Sequence, residues 1–303
     1  MPGPRIAIVT DSPASLPEEV VEEHGIFVVP LQVIIGATSY DEGVDEGASP
    51  AMVAQALREF TPVSTSRPSP ARMLEIYADI AEQGYEEIVS VHLSGEMSGT
   101  FDSALVASRT AVVPVHPVDS RQVGPATGYG AVAAAVAVAS GASAAEAALA
   151  ARQRAEASTS LFYVDTLEYL RRGGRVGAAA ALLGGALAVK PLLRVSDGKI
   201  DSFEKVRTAG RALARLEEHA VQAADEQPVE VTVAHLASPE RAEALAAKLA
   251  GRLDLVTPVR IAELGAVLGA HVGPGMVAVC VAPALEGAVA AASGPDSDDS
   301  PVE

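Results

Sequence analysis

Serine, threonine and glycine crowd four short stretches of this chain: "TDS" at 10–12, "TSRPS" at 65–69, "SGEMSGT" at 94–100 and "DS" at 119–120. Each follows a strand-like run or opens a helix-like one, the place where α/β proteins hold their ligands. The hydroxyls of Thr65, Ser66, Ser94, Ser98 and Thr100 could attack an acyl group, hold a ligand, or only cap helices. Attack needs a base within reach, and the hydrolase elbow needs Gly-x-Ser-x-Gly, whereas "GEMSG" carries its serine one place too late. His92, His116 and His235 lie in apolar strand-like runs and read as packed core side chains; His271, after "GAVLGA", reads as part of a turn. A serine hydrolase or acyltransferase pairing Ser98 with His271 is the alternative kept open. Without a base or a metal, neutral hydroxyls and helix N-terminal amides suit holding an anion, although any one such turn is equally an ordinary cap.

Other motifs carry less. No pair of His, Cys or carboxylate residues at helical spacing is accompanied by a second pair, so no metal centre is expected. "GYGAVA" at 128–133 fits a relaxed dinucleotide pattern but follows no strand, and no strand-end acid appears about 20 residues on. "GGRVG", with Arg171, Arg172 and Arg175, reads either as a phosphate cradle or as a glycine helix end with basic residues facing the dipole. The single cysteine, Cys280, sits in "MVAVCVA" and reads as a small core residue.

These residues need a scaffold, and the chain has enough material for one. Its 303 residues are 49% hydrophobic, which suits two domains better than one. A net charge of −17 repels phosphate backbones and anionic lipid surfaces, so nucleic acid is not an expected partner. The apolar stretch in "MPGPRIAIVTDS" is too short for a signal peptide, and "GAAAALLGGALAV" falls short of a membrane span; a cytoplasmic protein, not an integral membrane one, is expected.

"RIAIVT", "IFVVPLQVII", "EIVSVHL" and "VVPVHPVD" are β-branched runs, each leading into a polar turn and then a helix-like segment, an alternation that predicts an α/β fold with a mostly parallel sheet. Ser15 with Glu18, and the Ser-Pro pairs of "SPAM", "SPAR" and "SPER", predict helix starts. After an alanine-rich helical stretch at 130–157, "LFYVDTLEYLRRGGR" opens a new strand and helix, and "PLLRVSDGKIDSF" reads as two strands about an Asp-Gly turn. With "VEVTVAHL" and "GMVAVCVA" these predict a second α/β domain with a mixed sheet. The expected division is 1–158, 159–288 and an acidic, disordered tail 289–303, with the two domains enclosing a cleft.

Taken in order, the turns resemble the DegV family of bacterial fatty-acid-binding proteins, whose better-known members are the FakB subunits of fatty acid kinase. The likeness rests on "IVTDSPASLP", "VVPLQVIIG", "YDEGVD", "TSRPSP", "HLSGEMSGTFDSA", "VDTLEYLRRGGRVGAAAALLG", "VKPLL", "KVRT" and "AHVGPG", in the family's order along nearly the whole chain. It implies two α/β domains with a long-chain fatty acid buried between them as ligand, no cofactor, and no catalytic residue. The family's threonine, serine and histidine at the head group fall on Thr65, on Ser94 or Ser98, and on His271, with Ser66, Gly99, Thr100 and Gly273 in the same motifs. The resemblance also implies two partners, a kinase subunit that phosphorylates the bound acid and an acyltransferase of phospholipid synthesis. Arg171, Arg172 and Arg207 are the expected docking spot for the kinase. Arg67, Gly95 and Met97 depart from the family's commoner glutamine, serine and leucine, and Arg67 either reaches the head group or faces water.

Overall fold

The computed structural model describes residues 3–182 and 189–285. The expected tail 289–303 and part of "GAAAALLGGALAV" lie outside the described residues. In chain order the first elements are β1 (Ile6–Asp11), α1 (Glu18–His24), β2 (Ile26–Val29), β3 (Gln32–Ile35), β4 (Thr38–Asp41), α2 (Pro50–Arg58), β5 (Val63–Ser66), α3 (Pro70–Glu82) and β6 (Glu87–His92). Next come α4 (Thr100–Ser108), β7 (Val115–Asp119), α5 (Pro125–Ala139) and α6 (Ala144–Ala157). From residue 159 onward the elements are β8 (Thr159–Tyr163), α7 (Glu168–Arg172), β9 (Lys190–Ser196), β10 (Lys199–Val206), α8 (Ala209–Ala224), β11 (Val229–His235), α9 (Pro239–Ala250), β12 (Arg260–Glu263), α10 (Ala266–Val272) and β13 (Val277–Pro283).

The first sheet, β2-β1-β6-β7, is parallel throughout. Its two central strands are buried on both faces, as parallel strands must be when crossover helices cover each side. Ile8, Val89 and Val91 pack on alanines of α5 and α6, while Ala7, Val9 and Ile88 pack on Met73, Tyr77 and Ile80 of α3. The second sheet runs β10-β9-β8-β13-β11-β12 and is mixed, with only β11 and β12 parallel. Asp197 and Gly198 join β9 to β10, both at positive φ, 51° and 77°, which is the backbone that a two-residue hairpin turn demands.

A third sheet, β4-β3-β5, is antiparallel and shares no ladder with the other two. "IFVVPLQVII" is therefore two strands in two sheets, divided at Pro30, which has no amide to continue a ladder. Ser49 and Ser69 cap α2 and α3 through Met52 N and Arg72 N at 3.3 and 3.1 Å, whereas Ser238 makes no side-chain cap on α9. Ser15 does not start α1. It lies at φ 53° with its hydroxyl on Pro13 O, and α1 begins after Pro17, because a residue preceding proline resists the helical conformation.

The alanine-rich stretch 130–157 belongs to two helices, broken at Gly141 (φ 92°), with Ser143 and Glu146 forming a capping box on α6. The glycines of "GYGAVA" lie inside α5 and serve packing: a side chain at Gly128 would meet Ala14 O at 2.6 Å, and one at Gly130 would meet Ala151 O at 2.9 Å. α5 and α6 also reach the second sheet. Tyr129 and Thr232 join hydroxyls at 2.7 Å, and Arg154 pairs with Glu230 at 2.9 Å, almost out of water.

Candidate functional site

Between the parallel sheet, the antiparallel sheet and the mixed sheet lies a cavity of about 350 Å³, within the usual range for small-molecule sites. Its floor is one face of the mixed sheet. Ala234, Ala278 and Phe162 stand side by side across β11, β13 and β8, with Cys280 and Ser160 paired two residues along. Because side chains alternate between faces, Val231, Val233, Val277 and Val281 point the other way and pack under α8 and α9. Bulk on one face and small residues on the other leave the core side filled and the opposite side open. Ala278 is accordingly only half-buried although it sits on a central strand. Burial pushes the Cys280 thiol up to about 12, so it behaves as an apolar wall residue.

The opposite walls come from Leu31, Leu93, Val267, Leu268 and Val272. Most of the lining is apolar; its polar members are Thr65, Ser66, Arg67, Ser98, Arg175 and His271, with Ser160 on the floor. Thr65 and Ser66, expected in a turn, end β5, where the Val-Ser-Thr-Ser segment pairs with β3. His271, also expected in a turn, occupies the last turn of α10. Thr65 Oγ1 and His271 Nε2 are 2.8 Å apart across 206 residues of sequence. His271 Nδ1 is buried without a hydrogen-bond partner, and a side chain at Gly173 would collide with it.

Arg175 enters from the "RRGGR" turn. Its Nε donates to Met97 O at 3.0 Å and its guanidinium to Gly173 O, so the cation is fixed where α7 meets the "SGEMSGT" loop. Burial first, and this cation second, push His271 down to about 4, so the ring is neutral at pH 7. A neutral native ring against an unfolded value near 6.5 makes the group's contribution sign-definite: stability is present at neutral pH and is lost as pH falls from about 6.5 towards 4.

Ser98 lines the cavity, with its hydroxyl 2.9 Å from that of Thr100. Gly99 beside it begins α4 without a side-chain cap, and the exposed Arg67 lies across it so closely that a side chain there would collide with the guanidinium. Ser94 does not line the cavity. It is fully buried and donates to Gly198 O at 2.7 Å, docking the loop on the β9–β10 hairpin. Thr100 is likewise buried behind Ser98, and Gly273 (φ 75°) packs on Tyr169 outside the lining. The turns at 10–12 and 119–120 hold other loops: Ser12 Oγ accepts Leu31 N at 3.0 Å, and Asp119 Oδ1 accepts Gly95 N at 3.2 Å.

A hydrogen-bonded serine, histidine and aspartate do occur together, away from the cavity. Asp11 Oδ2 meets His92 Nδ1 at 3.0 Å, His92 Nε2 meets Ser90 Oγ at 2.7 Å, and Tyr77 closes on Ser90 at 2.9 Å. All three triad-like groups are fully buried, and none lines the cavity. They fix Leu93, whose amide Asp11 also accepts, and so set the start of the "SGEMSGT" loop. The pair Ser98 and His271 is not hydrogen-bonded, since Nε2 faces Thr65 and the serine faces Thr100. Among the described residues no group of three or more His, Cys, Asp or Glu could hold a metal, and no helix is long and apolar enough to cross a membrane.

Arg171 and Arg172 are exposed on α7 and both pair with Glu168 at 2.7 Å; Arg207 is exposed just after β10. Sequence alone does not bring Arg175 or the alternation of small residues on β13 to the cavity; Arg175 stands there only in "GGRVG", which reads either as a phosphate cradle or as a helix end.

Residues 5–284 match the model of the DegV family, described as uncharacterised protein. A DegV domain-containing protein of Streptomyces coelicolor is 51% identical over 276 residues, covering 91% of this chain and 98% of its own. A DegV family protein from Thermus thermophilus, whose structure is described as fatty acid binding, superposes with a TM-score of 0.85 at 30% identity, covering 92% of this chain and all of its own. DegV from Bacillus subtilis, described as a fatty acid binding protein, matches with a TM-score of 0.85 at 30% identity, over 93% of this chain and 100% of its own.

Proposed function

The chain belongs to the DegV family, and from that premise we propose that it is a carrier that buries one long-chain fatty acid and presents its carboxylate to a separate kinase. The observation that carries the reading is the cavity itself: an apolar space between the sheets with one polar set, Thr65, Ser98, Arg175 and His271. Burying an acyl chain of about 16 carbons at about 0.8 kcal/mol per CH₂ offers on the order of 10 kcal/mol before ordering costs. A carboxylate drawn out of water needs partners. The Arg175 cation, the Thr65 and Ser98 hydroxyls and the uncapped start of α4 supply them. Relatives described as fatty acid binding support the ligand class. We place the division between the two domains at residue 158, with the ligand spanning both.

In this proposal the partner kinase transfers a phosphoryl group from ATP to the carboxylate, and an acyltransferase of phospholipid synthesis consumes the acyl phosphate. The chain has no Gly-x-x-x-x-Gly-Lys loop of its own. Arg171, Arg172 and Arg207 would form the docking spot on an otherwise acidic protein. Arg207→Glu is expected to slow acyl-phosphate formation by added kinase while leaving fatty-acid binding intact; an unchanged rate removes Arg207 from the docking surface.

Native mass spectrometry of the purified chain tests the ligand class, with an added mass of one fatty acid expected. An activated acyl ester tests the hydrolase alternative, which requires covalent acyl-protein on Ser98; none is expected. The His271 ring offers a second readout. Burial and Arg175 hold His271 down to about 4; a carboxylate beside it favours the protonated form, so its titration is expected to move up when fatty acid is added. An NMR titration of the ring that is identical with and without fatty acid places the head group elsewhere.

A further inference from the structure

We propose that Glu42 is a positioning residue: its buried carboxylate holds the antiparallel sheet closed over the cavity and sets how readily the ligand exchanges. This rests on the carrier reading above.

The sheet β4-β3-β5 forms part of the cavity wall but has no backbone ladder to either of the other sheets. Apolar contacts hold it: Val33 of β3, together with Val53 and Leu57 of α2, shares one cluster with Ala266 and Ala270 of α10. Two polar ties add to them, one near each end of α10. At the carboxyl end, Thr65 meets His271 inside the cavity. An arriving carboxylate competes for that hydroxyl, so this tie is the one a ligand redirects.

The tie at the amino end is different. Glu42 follows β4 directly and is only 8% exposed. Its Oε1 accepts Val267 N at 2.8 Å, and its backbone amide donates to Leu31 O at 2.9 Å. Among the described residues no donor meets Oε2 in hydrogen-bond geometry, although the Ser12 hydroxyl faces the carboxylate. Gly265 makes room for the carboxylate, since a β-carbon there would collide with Oε1. A negative charge facing the first amides of a helix is favourable. Glu42 does not line the cavity, so ligand binding leaves its contact with α10 in place. It is thus the polar tie able to keep the wall shut while Thr65 turns to the ligand.

The groups facing Glu42 are the first amides of α10, the Ser12 hydroxyl and the carboxylate of Asp11, which is itself hydrogen-bonded to His92. Burial is the largest effect on Glu42 and raises its pKa; the hydrogen bonds oppose it and Asp11 reinforces it. A raised carboxyl pKa means that the closed wall takes up this proton more readily than an open, hydrated one, so the closed state gains as pH falls through the raised value, and the neutral carboxyl still accepts Val267 N. Acidification therefore tightens the wall.

Release of a fluorescent long-chain fatty acid, chased with excess unlabelled palmitate, and amide hydrogen exchange of the ligand-free protein test this together. Glu42→Ala is expected to release ligand about tenfold faster, and to raise exchange in residues 32–66 while β6 stays protected. Glu42→Gln keeps an acceptor for Val267 and loses the charge, so it releases ligand more slowly than Glu42→Ala, and its release slows less on acidification than that of the natural chain. Glu42→Ala indistinguishable from the natural chain in both measurements overturns the proposal. So does exchange that rises equally in β6 and β13, which marks a general loss of stability. If the natural chain takes up no fatty acid, the carrier reading fails, and the exchange comparison alone still decides the role of Glu42.

Discussion

Replacing Ala278 with phenylalanine is expected to weaken fatty-acid binding about a hundredfold and leave the fold intact. Ala278 sits at the centre of the cavity floor, with Ala234 on one side and Phe162 on the other. Its neighbours along the strand, Val277 and Val279, point into the packed core, so the added ring has one direction to go, into the open space. It would occupy the path of the acyl chain. Displacing about four methylenes removes about 3 kcal/mol of burial, a loss of affinity on the order of a hundredfold. The ring enters a void and not a packed core, so the overpacking that usually accompanies such a change is avoided. The chain should fold with an unchanged circular dichroism spectrum and carry much less fatty-acid mass than the natural chain. A fully loaded Ala278→Phe protein means the ligand lies elsewhere.

Arg175→Met is expected to have the next largest effect, and a selective one. Arg175 is the half-buried cation of the polar set, held by Met97 O and Gly173 O. Methionine keeps much of its apolar stem and removes the charge. A carboxylate left at the cavity without this partner loses a charge-assisted hydrogen bond of about 1.5–3 kcal/mol, or roughly 10- to 150-fold in affinity. A fatty alcohol of the same chain length carries no charge and should bind the variant and the natural protein nearly alike. Equal losses for acid and alcohol would mean that Arg175 only shapes the loop. An undiminished affinity for the acid would remove Arg175 from the head group.

Much of the scaffold was legible because local signals and tertiary structure agree. "RIAIVT" and "EIVSVHL" are buried on both faces and read as continuous apolar runs, and "SDGK" carries the residues that a tight hairpin requires. Where prediction and structure part, tertiary contacts decided. Pro30 splits one apolar run between two sheets, which periodicity alone does not reveal. "VSTS" is strand or turn by composition, and pairing with β3 makes it a strand. Ser94 and Ser98 are four residues apart in one loop, yet a carbonyl 104 residues further on claims the first and leaves the second at the cavity. The catalytic-looking alignment of Asp11, His92 and Ser90 is invisible in the sequence because two residues of spacing on one strand and a third residue from its neighbour carry no motif.

The cavity floor shows the same limit from the other side. Ala278 and Cys280 alternate with valines along β13, and "small on one face, large on the other" is readable once the strand is known. What the sequence leaves out is which strands lie beside it: Ala234 and Ser160 join the same face only through a sheet order that is not sequential. Arg175 is legible as one of two readings of "GGRVG", an anion cradle or a helix end, and only the contact with Met97, 78 residues away, brings it to the cavity.

A crystal structure of the chain with a bound long-chain fatty acid decides the carrier reading. The acyl chain is expected over Ala278 and Cys280, with the carboxylate within hydrogen-bond distance of Thr65 Oγ1 and the Arg175 guanidinium. An acyl chain outside this space, or one lying in it with its carboxylate remote from both residues, contradicts it.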